Sequence, residues 1–411
     1  MECVLKDVIA VSKDGEWGKS EPFDDSIEML AIRGTDFDSV RFGDTASTPR
    51  RHIPNRLAER KTLQPWDVII EAAGGTKNQI TGRTVLLRPQ LFSRSELPFT
   101  CASFSRFIRF NTELCDPEFM FWYLQHLYAS GFMHAYHTQH TGVARFQWTT
   151  FSEREPLELP SLLVQRRIAG ILSAYDELTE NSQRRILIFE AMARALYREW
   201  FVHFRFPGHE KLPRVASPLG DIPRGWEVKQ VKDLANVTYG FPFQSKKFNT
   251  TGVGTPVIRI RDILEGSIDT FTDEEVEPKY HIKNGDILVG MDGDFHMCIW
   301  SSGHAFQNQR VAKFESKGEI GNYHLFLALE LPIQTWNKSI VGTTVAHLGD
   351  MHIKTIQVAW PPATLLTKAR EILEPMSEQI IALKSQIQNL RRTRDLLLPR
   401  LLSGQVTLTT N

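Results

Sequence analysis

The residues of this chain that could do chemistry are polar side chains crowded into short loops, not paired acids or a nucleophile with its base. Lys77-Asn78-Gln79-Ile80-Thr81-Gly82-Arg83 follows an apolar run, and Arg50-Arg51 and Arg145, beside Gly142, are second choices. The second half offers Lys246-Lys247, Asn308-Gln309-Arg310, and Thr343-Thr344 with His347 after Gly342. Arg, Lys, Asn and Gln are the side chains whose donors and acceptors match base edges in a DNA groove, while hydroxyls and further cations suit phosphates. Gln309 and Arg310 also adjoin the strand-like Val311-Ala312, so they could equally hold the fold.

Catalytic patterns are missing. Gly18-Lys19-Ser20 ends like a phosphate loop, but Lys13 stands where its first glycine is needed. Trp360-Pro361-Pro362-Ala363 has the two prolines of an amino-methyltransferase motif without the amide before them or the ring after them. Glu277-Pro278-Lys279, with Asp262, Asp269 and Asp273 upstream, spells the short acidic pattern of a metal-dependent nuclease, although the acidic stretch around it reads better as a solvated loop. The 13 histidines form no HExxH pair and no nucleophile elbow is present. Cys3, Cys101, Cys115 and Cys298 make no CxxC and no zinc-finger spacing, and read as reduced, mostly core thiols. No catalytic residue, metal or cofactor is therefore expected on this chain.

The elements that must position those loops come twice. Leu30–Phe42 is similar to Ile258–Phe271, Leu63–Gly75 to Ile282–Asp294, His140–Leu163 to Val341–Leu366, and Arg166–Leu172 to Thr367–Leu373. Gly142 and Gly342 lie 200 residues apart and Pro160 and Pro361 201 apart. Asp67 and Asp286 lie 219 apart, so the first copy carries about 19 extra residues between strand and glycine loop. A period near 200 is too long for a solenoid and implies a duplicated unit of globular domain plus helix. Val68-Ile69-Ile70 and Ile287-Leu288-Val289 read as buried strands, each followed by glycines. Each unit ends in a helix. Met376, Ile380, Leu383, Ile387, Leu390, Arg394 and Leu397 alternate by four and three, a coiled-coil seam broken by one arginine, with Pro375 as its expected first residue. Ile186, Phe189, Ala193, Leu196 and Trp200 make the second seam, ended by Pro207-Gly208. Two such seams are expected to pack on each other, antiparallel.

The bulk numbers agree with a folded, non-membrane protein. Of 411 residues, 42% are hydrophobic and 23% charged, with 48 basic against 48 acidic side chains. A net charge of zero argues against a blanket polyanion binder and leaves room for local basic patches. No run approaches the ~18 apolar residues of a membrane span and no signal peptide is evident, so a cytoplasmic location is expected.

Leu159–Pro207, with Gln165, Arg166, Ile168-Ala169, Asp176, Asn181 and Tyr197 through Trp200-Phe201, resembles the central conserved region of type I restriction-modification specificity (S) subunits. Gly220–Trp226 resembles the approach to that family's second target-recognition domain, and Arg394–Gly404 its C-terminal signature. Gly240–Phe243, Gly285–Leu288 and Gln307–Arg310 add to the likeness, while Trp66-Asp67 stands where the family usually has Gly-Asp. The resemblance implies a mixed α/β (α+β) fold: target-recognition domains at 1–158 and 208–362 (with a lead-in loop 208–224), joined by helical regions 159–207 and 363–411. It implies that each domain reads half of a bipartite double-stranded DNA target while the helices hold the two apart. Two methyltransferase subunits would bind, bringing S-adenosylmethionine and adenine methylation, and restriction subunits with ATP and magnesium would join through them. The competing readings are a stand-alone nuclease or methyltransferase with a fused recognition domain, and a coiled-coil scaffold that binds only proteins.

Overall fold

The computed structural model describes residues 2–74, 79–139, 142–265, 268–318, 321–339 and 347–406. It divides into two compact units: Met1–Glu180 with Leu390–Asn411, and Asn181–Asn389.

The first unit is built on two small sheets. Strands β1 (Ile9–Asp14), β2 (Ser26–Ile32), β3 (Arg50–Pro54), β4 (Val68–Glu71), β5 (Thr84–Leu86), β6 (Phe99–Cys101) and β7 (Ser105–Phe110) form them. One sheet runs β1-β7-β4-β5, all antiparallel, and the other runs β3-β2-β6, in which β2 and β6 are parallel. Val68, Ile69 and Ile70 are fully buried, which is why this stretch reads as a continuous apolar run and does not alternate.

The second unit repeats the plan with β8 (Ala235–Tyr239), β9 (Thr255–Ile258), β10 (Phe271–Thr272), β11 (His281–Ile282), β12 (Ile287–Gly290), β13 (Met297–Ile299), β14 (Ala305–Gln307) and β15 (Val311–Ser316). Its sheets run β8-β15-β12-β13 and β10-β9-β14-β11, again with one parallel pair, β9 with β14.

Hydrogen bonds fix which residues correspond. Glu16 N donates to Cys101 O at 2.7 Å, and Phe241 N to Gln307 O at 2.9 Å. Gln64 N donates to the Asp67 carboxylate at 2.7 Å, and Lys283 N to that of Asp286 at 2.9 Å. Arg33 N donates to Asp36 at 2.9 Å, and Arg259 N to Asp262 at 2.8 Å. Arg33 therefore corresponds to Arg259, two residues away from the Arg261 that sequence similarity suggests. A Cβ on Gly15 would overlap the carbonyl oxygens of Cys101 and Ala102, and one on Gly240 those of Gln307 and Asn308. Both glycines exist so that two strands can approach closely.

Two long helices, α1 (Leu162–Tyr197) and α2 (Ala363–Leu402), each run from one unit into the other. Within the first unit Ile168, Ala169 and Leu172 of α1 share a core with Leu398 and Leu401 of α2. Within the second, Ile186 and Ala193 share one with Ile380, Leu383 and Ile387. The expected antiparallel seam is present in each. Pro375 does not open α2, as its spacing suggested; the helix begins at Ala363, behind Pro361-Pro362. Leu365, Ala369 and Leu373, before the proline, are as buried as the seam after it. That burial outweighs the ~3 kcal/mol an interior proline costs.

Arg394, the polar break in the seam, has a partner that explains it. Its Nη1 donates to Asp176 at 2.5 Å, and Arg41 Nε donates to the other Asp176 oxygen at 2.7 Å. Both guanidinium groups lie over the Trp122 ring, at 5.6 and 5.1 Å. Asp176 is 2% exposed, so one buried carboxylate ties α1, α2 and the short helix Phe37–Arg41 together.

Candidate nucleic-acid interface

In the second unit several sequence-selected residues meet at the end of β12. Met291 N donates to Arg310 O at 3.0 Å and Leu348 N to Met291 O at 2.7 Å, so the loop after β12 is held between Arg310 and Leu348. Asp292 then anchors both side chains: Arg310 Nε lies 3.2 Å and His347 Nδ1 2.6 Å from its oxygens. Arg310 and His347 remain about half exposed, 51% and 45%. An exposed arginine oriented by a carboxylate is a preorganised fork for planar acceptors such as a guanine edge. Asn308 and Gln309 precede it, with Asn308 Oδ1 accepting from Gln309 N at 2.6 Å, so the asparagine also shapes its own turn. Lys247 is paired with Glu274 at 3.0 Å, while Lys246 is exposed. Thr343 and Thr344 lie outside the described residues.

The same frame stands in the first unit with other side chains on it. Ala72 N donates to Phe104 O at 2.8 Å, and Phe146 N to Ala72 O at 2.9 Å. Phe104 thus takes the place of Arg310, Ala73 that of Asp292, and Arg145 that of His347. Phe104 is 60% exposed and Arg145 is exposed. Beside Phe104 a cavity of about 650 Å³ opens, lined by Trp17, Glu71, Ala73, Gln79, Arg83 and Phe104, among others.

The remaining first-unit candidates divide by environment. Arg50 is exposed, 3.8 Å from Glu28. Arg51 is tied down: Nε donates to Trp17 O at 3.0 Å, Nη1 to Ser20 at 3.0 Å, and the guanidinium lies 4.5 Å over the Trp17 ring. Thr81 is fully buried, its hydroxyl 3.0 Å from His137 Nδ1. Arg83 donates from Nε and Nη2 to Glu71 at 3.0 and 3.1 Å, and to Gly34 O at 2.9 Å. Burial works against the Arg83 cation, and the hydrogen bond and charge of Glu71 outweigh it, leaving the pKa above its ordinary value. Gln79 is exposed on the cavity wall, and Lys77 and Asn78 lie outside the described residues.

Three of the four acidic residues that could suggest a nuclease have a cation. Asp262 is buried against Arg259, Asp269 pairs with Arg261 at 2.7 Å, and Glu277 pairs with Lys279 at 3.0 Å. Sequence reasoning missed Asp292, Trp17, Glu71 and Phe104. The signal for Phe104 was its place one residue before a strand, the same place that Arg310 holds before β15.

Residues 223–391 match the family described as the type I restriction modification DNA specificity domain. This chain matches proteins named as specificity subunits. It is 31% identical over 209 residues to the type I restriction enzyme EcoBI specificity subunit of Escherichia coli, covering 50% of this chain and 44% of that one. It is 25% identical over 303 residues to the MjaIX specificity subunit of Methanocaldococcus jannaschii, covering 69% and 68%. The matches thus span less than half of the first relative and about two thirds of the second. The fold is that of the crystal structure of the type I restriction-modification S subunit from M. genitalium: TM-score 0.61 and 15% identity, over 98% of this chain and 95% of that one. No helix among the described residues is long and apolar enough to cross a membrane.

Proposed function

We propose that the chain is the DNA-specificity subunit of a type I restriction-modification complex, in which each unit reads one half of a bipartite duplex target. The recurrence of one hydrogen-bonded frame with different exposed side chains, Arg310 and His347 against Phe104 and Arg145, carries this reading. A shared frame presents a reader to DNA in the same manner twice, and unlike side chains on it suit two unlike half-sites. Arg310, His347, Asn308, Gln309 and Lys246 in one unit, and Arg145, Gln79 and Arg50 in the other, are the exposed or half-exposed groups available for bases and phosphates. Arg51, Thr81 and Arg83 serve as supports, because burial or several bonds within the protein hold them, and the Lys247 charge is paired with Glu274.

Helices α1 and α2 set the spacing of the two readers and dock two methyltransferase subunits. Two weak half-site contacts joined by a stiff connection act as one strong contact through effective concentration. S-adenosylmethionine, ATP and magnesium belong to the methyltransferase and restriction subunits, and this chain supplies no catalytic group. The complex works in the cytoplasm, where its DNA is. The test is to map methylated adenines in a host carrying this chain and its partner methyltransferase. The reading expects one two-part motif with a fixed unread gap; an uninterrupted motif, or methylation independent of this chain, would refute it.

A further inference from the structure

The cavity of the first unit is too large and too organised to be only a crease beside a reading loop. Its volume, about 650 Å³, lies within the ~300–1,000 Å³ of small-molecule sites, and most of its wall is apolar. Trp17 lines it, and one face of that indole is already covered by the Arg51 guanidinium, which bonds in turn to Trp17 O, Gly18 O and Ser20. The ring is therefore fixed before anything binds. Phe104 is 60% exposed, yet its backbone is clamped, its carbonyl accepting from both Ala72 N and Ala73 N at 2.8 and 2.9 Å. A solvent-exposed aromatic ring on a fixed backbone can stack on a flat partner. The polar part of the wall includes Arg33, Thr35, Ser103 and Ser105, the Glu71–Arg83 pair, and the amide of Gln79, which has both donors and an acceptor.

Flat aromatic walls with a few convergent polar groups match a planar heteroaromatic base. The cavity also adjoins Phe104, the counterpart of Arg310 on the repeated frame, so on the functional reading above duplex DNA passes its mouth. We infer that this cavity receives one nucleobase everted from the half-target read by the first unit, stacked on Trp17 and Phe104. The inference rests on that reading. It gives the first unit a mode of recognition that the Arg310–Asp292–His347 cluster does not share, since that cluster meets a base edge in place.

An everted base must first unpair, so removing its partner base strengthens binding at that position alone. The experiment uses the chain assembled with its methyltransferase partner, and target duplexes in which an abasic site is placed opposite each base of the first unit's half-target in turn. One position other than the methylated adenine should bind about tenfold more tightly, the gain expected when the cost of unpairing is relieved. Trp17→Leu and Phe104→Leu, which keep apolar bulk and remove the flat face, should each erase most of that gain. The gain at the methylated adenine, which belongs to the partner's chemistry, should survive in both. Phe104→Leu alters an exposed side chain, so its effect is not one of folding. If no such position exists, or its gain persists in both variants, the inference is wrong. A complex that binds scrambled duplex as well as its target overturns the specificity reading instead, and this inference with it.

Discussion

Asp176→Asn keeps the shape of the buried side chain and removes the charge that Arg41 and Arg394 share. In the wild type each Asp176 oxygen accepts from one guanidinium, at 2.7 and 2.5 Å, and the three side chains are 3%, 17% and 12% exposed. Burial pulls the Arg41 pKa down and the Asp176 charge opposes it, so the aspartate is what makes a buried cation tolerable there. Without it Arg41 faces the Trp122 ring with no carboxylate beside it, and Arg394 keeps only its bonds to Asp395, at 2.8 and 2.9 Å. Breaking a buried pair by removing one partner costs about 3–5 kcal/mol. For a unit of this size each kcal/mol is worth roughly 2–4 °C, so its melting transition should fall by roughly 6–20 °C. Calorimetry of the full chain is the assay, because the second unit, which Asp176 does not touch, serves as an internal reference. Arg41→Met, Asp176→Leu and Arg394→Met together should recover much of the loss, since a buried ion set is often replaceable by apolar residues of similar volume. A fall of less than about 2 °C in Asp176→Asn, well below the value expected from pairs this buried, would show that the network does not hold the helices to the domain.

Three further outcomes follow from the same structure. Arg310→Ala should relax recognition at one base pair at a cost of ~1–3 kcal/mol, whereas Lys246→Ala should weaken all sequences alike and lower the salt slope by about one, both measured by competition binding. His324 is buried among Tyr197, Phe201 and Trp360, and burial pushes its pKa down to about 3. The unfolded chain then binds the extra proton below its ordinary value of 6.5. Stability of the second unit is therefore complete above that pH and falls as pH drops from there toward 3, and urea titrations at pH 7 and 5 should show the loss in wild type and not in His324→Phe.

What the sequence made legible follows from what periodicity and repetition can carry. The duplication, the two seams and their antiparallel packing were readable because a helix face repeats every three or four residues and both copies keep it. Arg394 was visible as a break, but its reason was not, since Asp176 lies 218 residues earlier. The two-residue shift between Arg33 and Arg259 was hidden because similar apolar strands slide on each other in sequence, and only the Asp36 and Asp262 bonds fix the register. Pro375 misled because a proline is a strong local signal, and burial on both sides overrode it. Among the site residues, charge alone marked Arg51 and Arg83 as readers; their partners, Trp17 and Glu71, are distant in sequence and carry no motif. Phe104 was passed over because a lone aromatic in sequence reads as core.

The central claim, that two units read two half-targets independently, is tested most directly by exchanging Met1–Leu157 for the same region of a relative with a different target, and mapping methylated adenines in a host carrying the partner methyltransferase. The account predicts a new first half-site, with the second half-site and the gap unchanged. A change in both half-sites, or in neither, would contradict it.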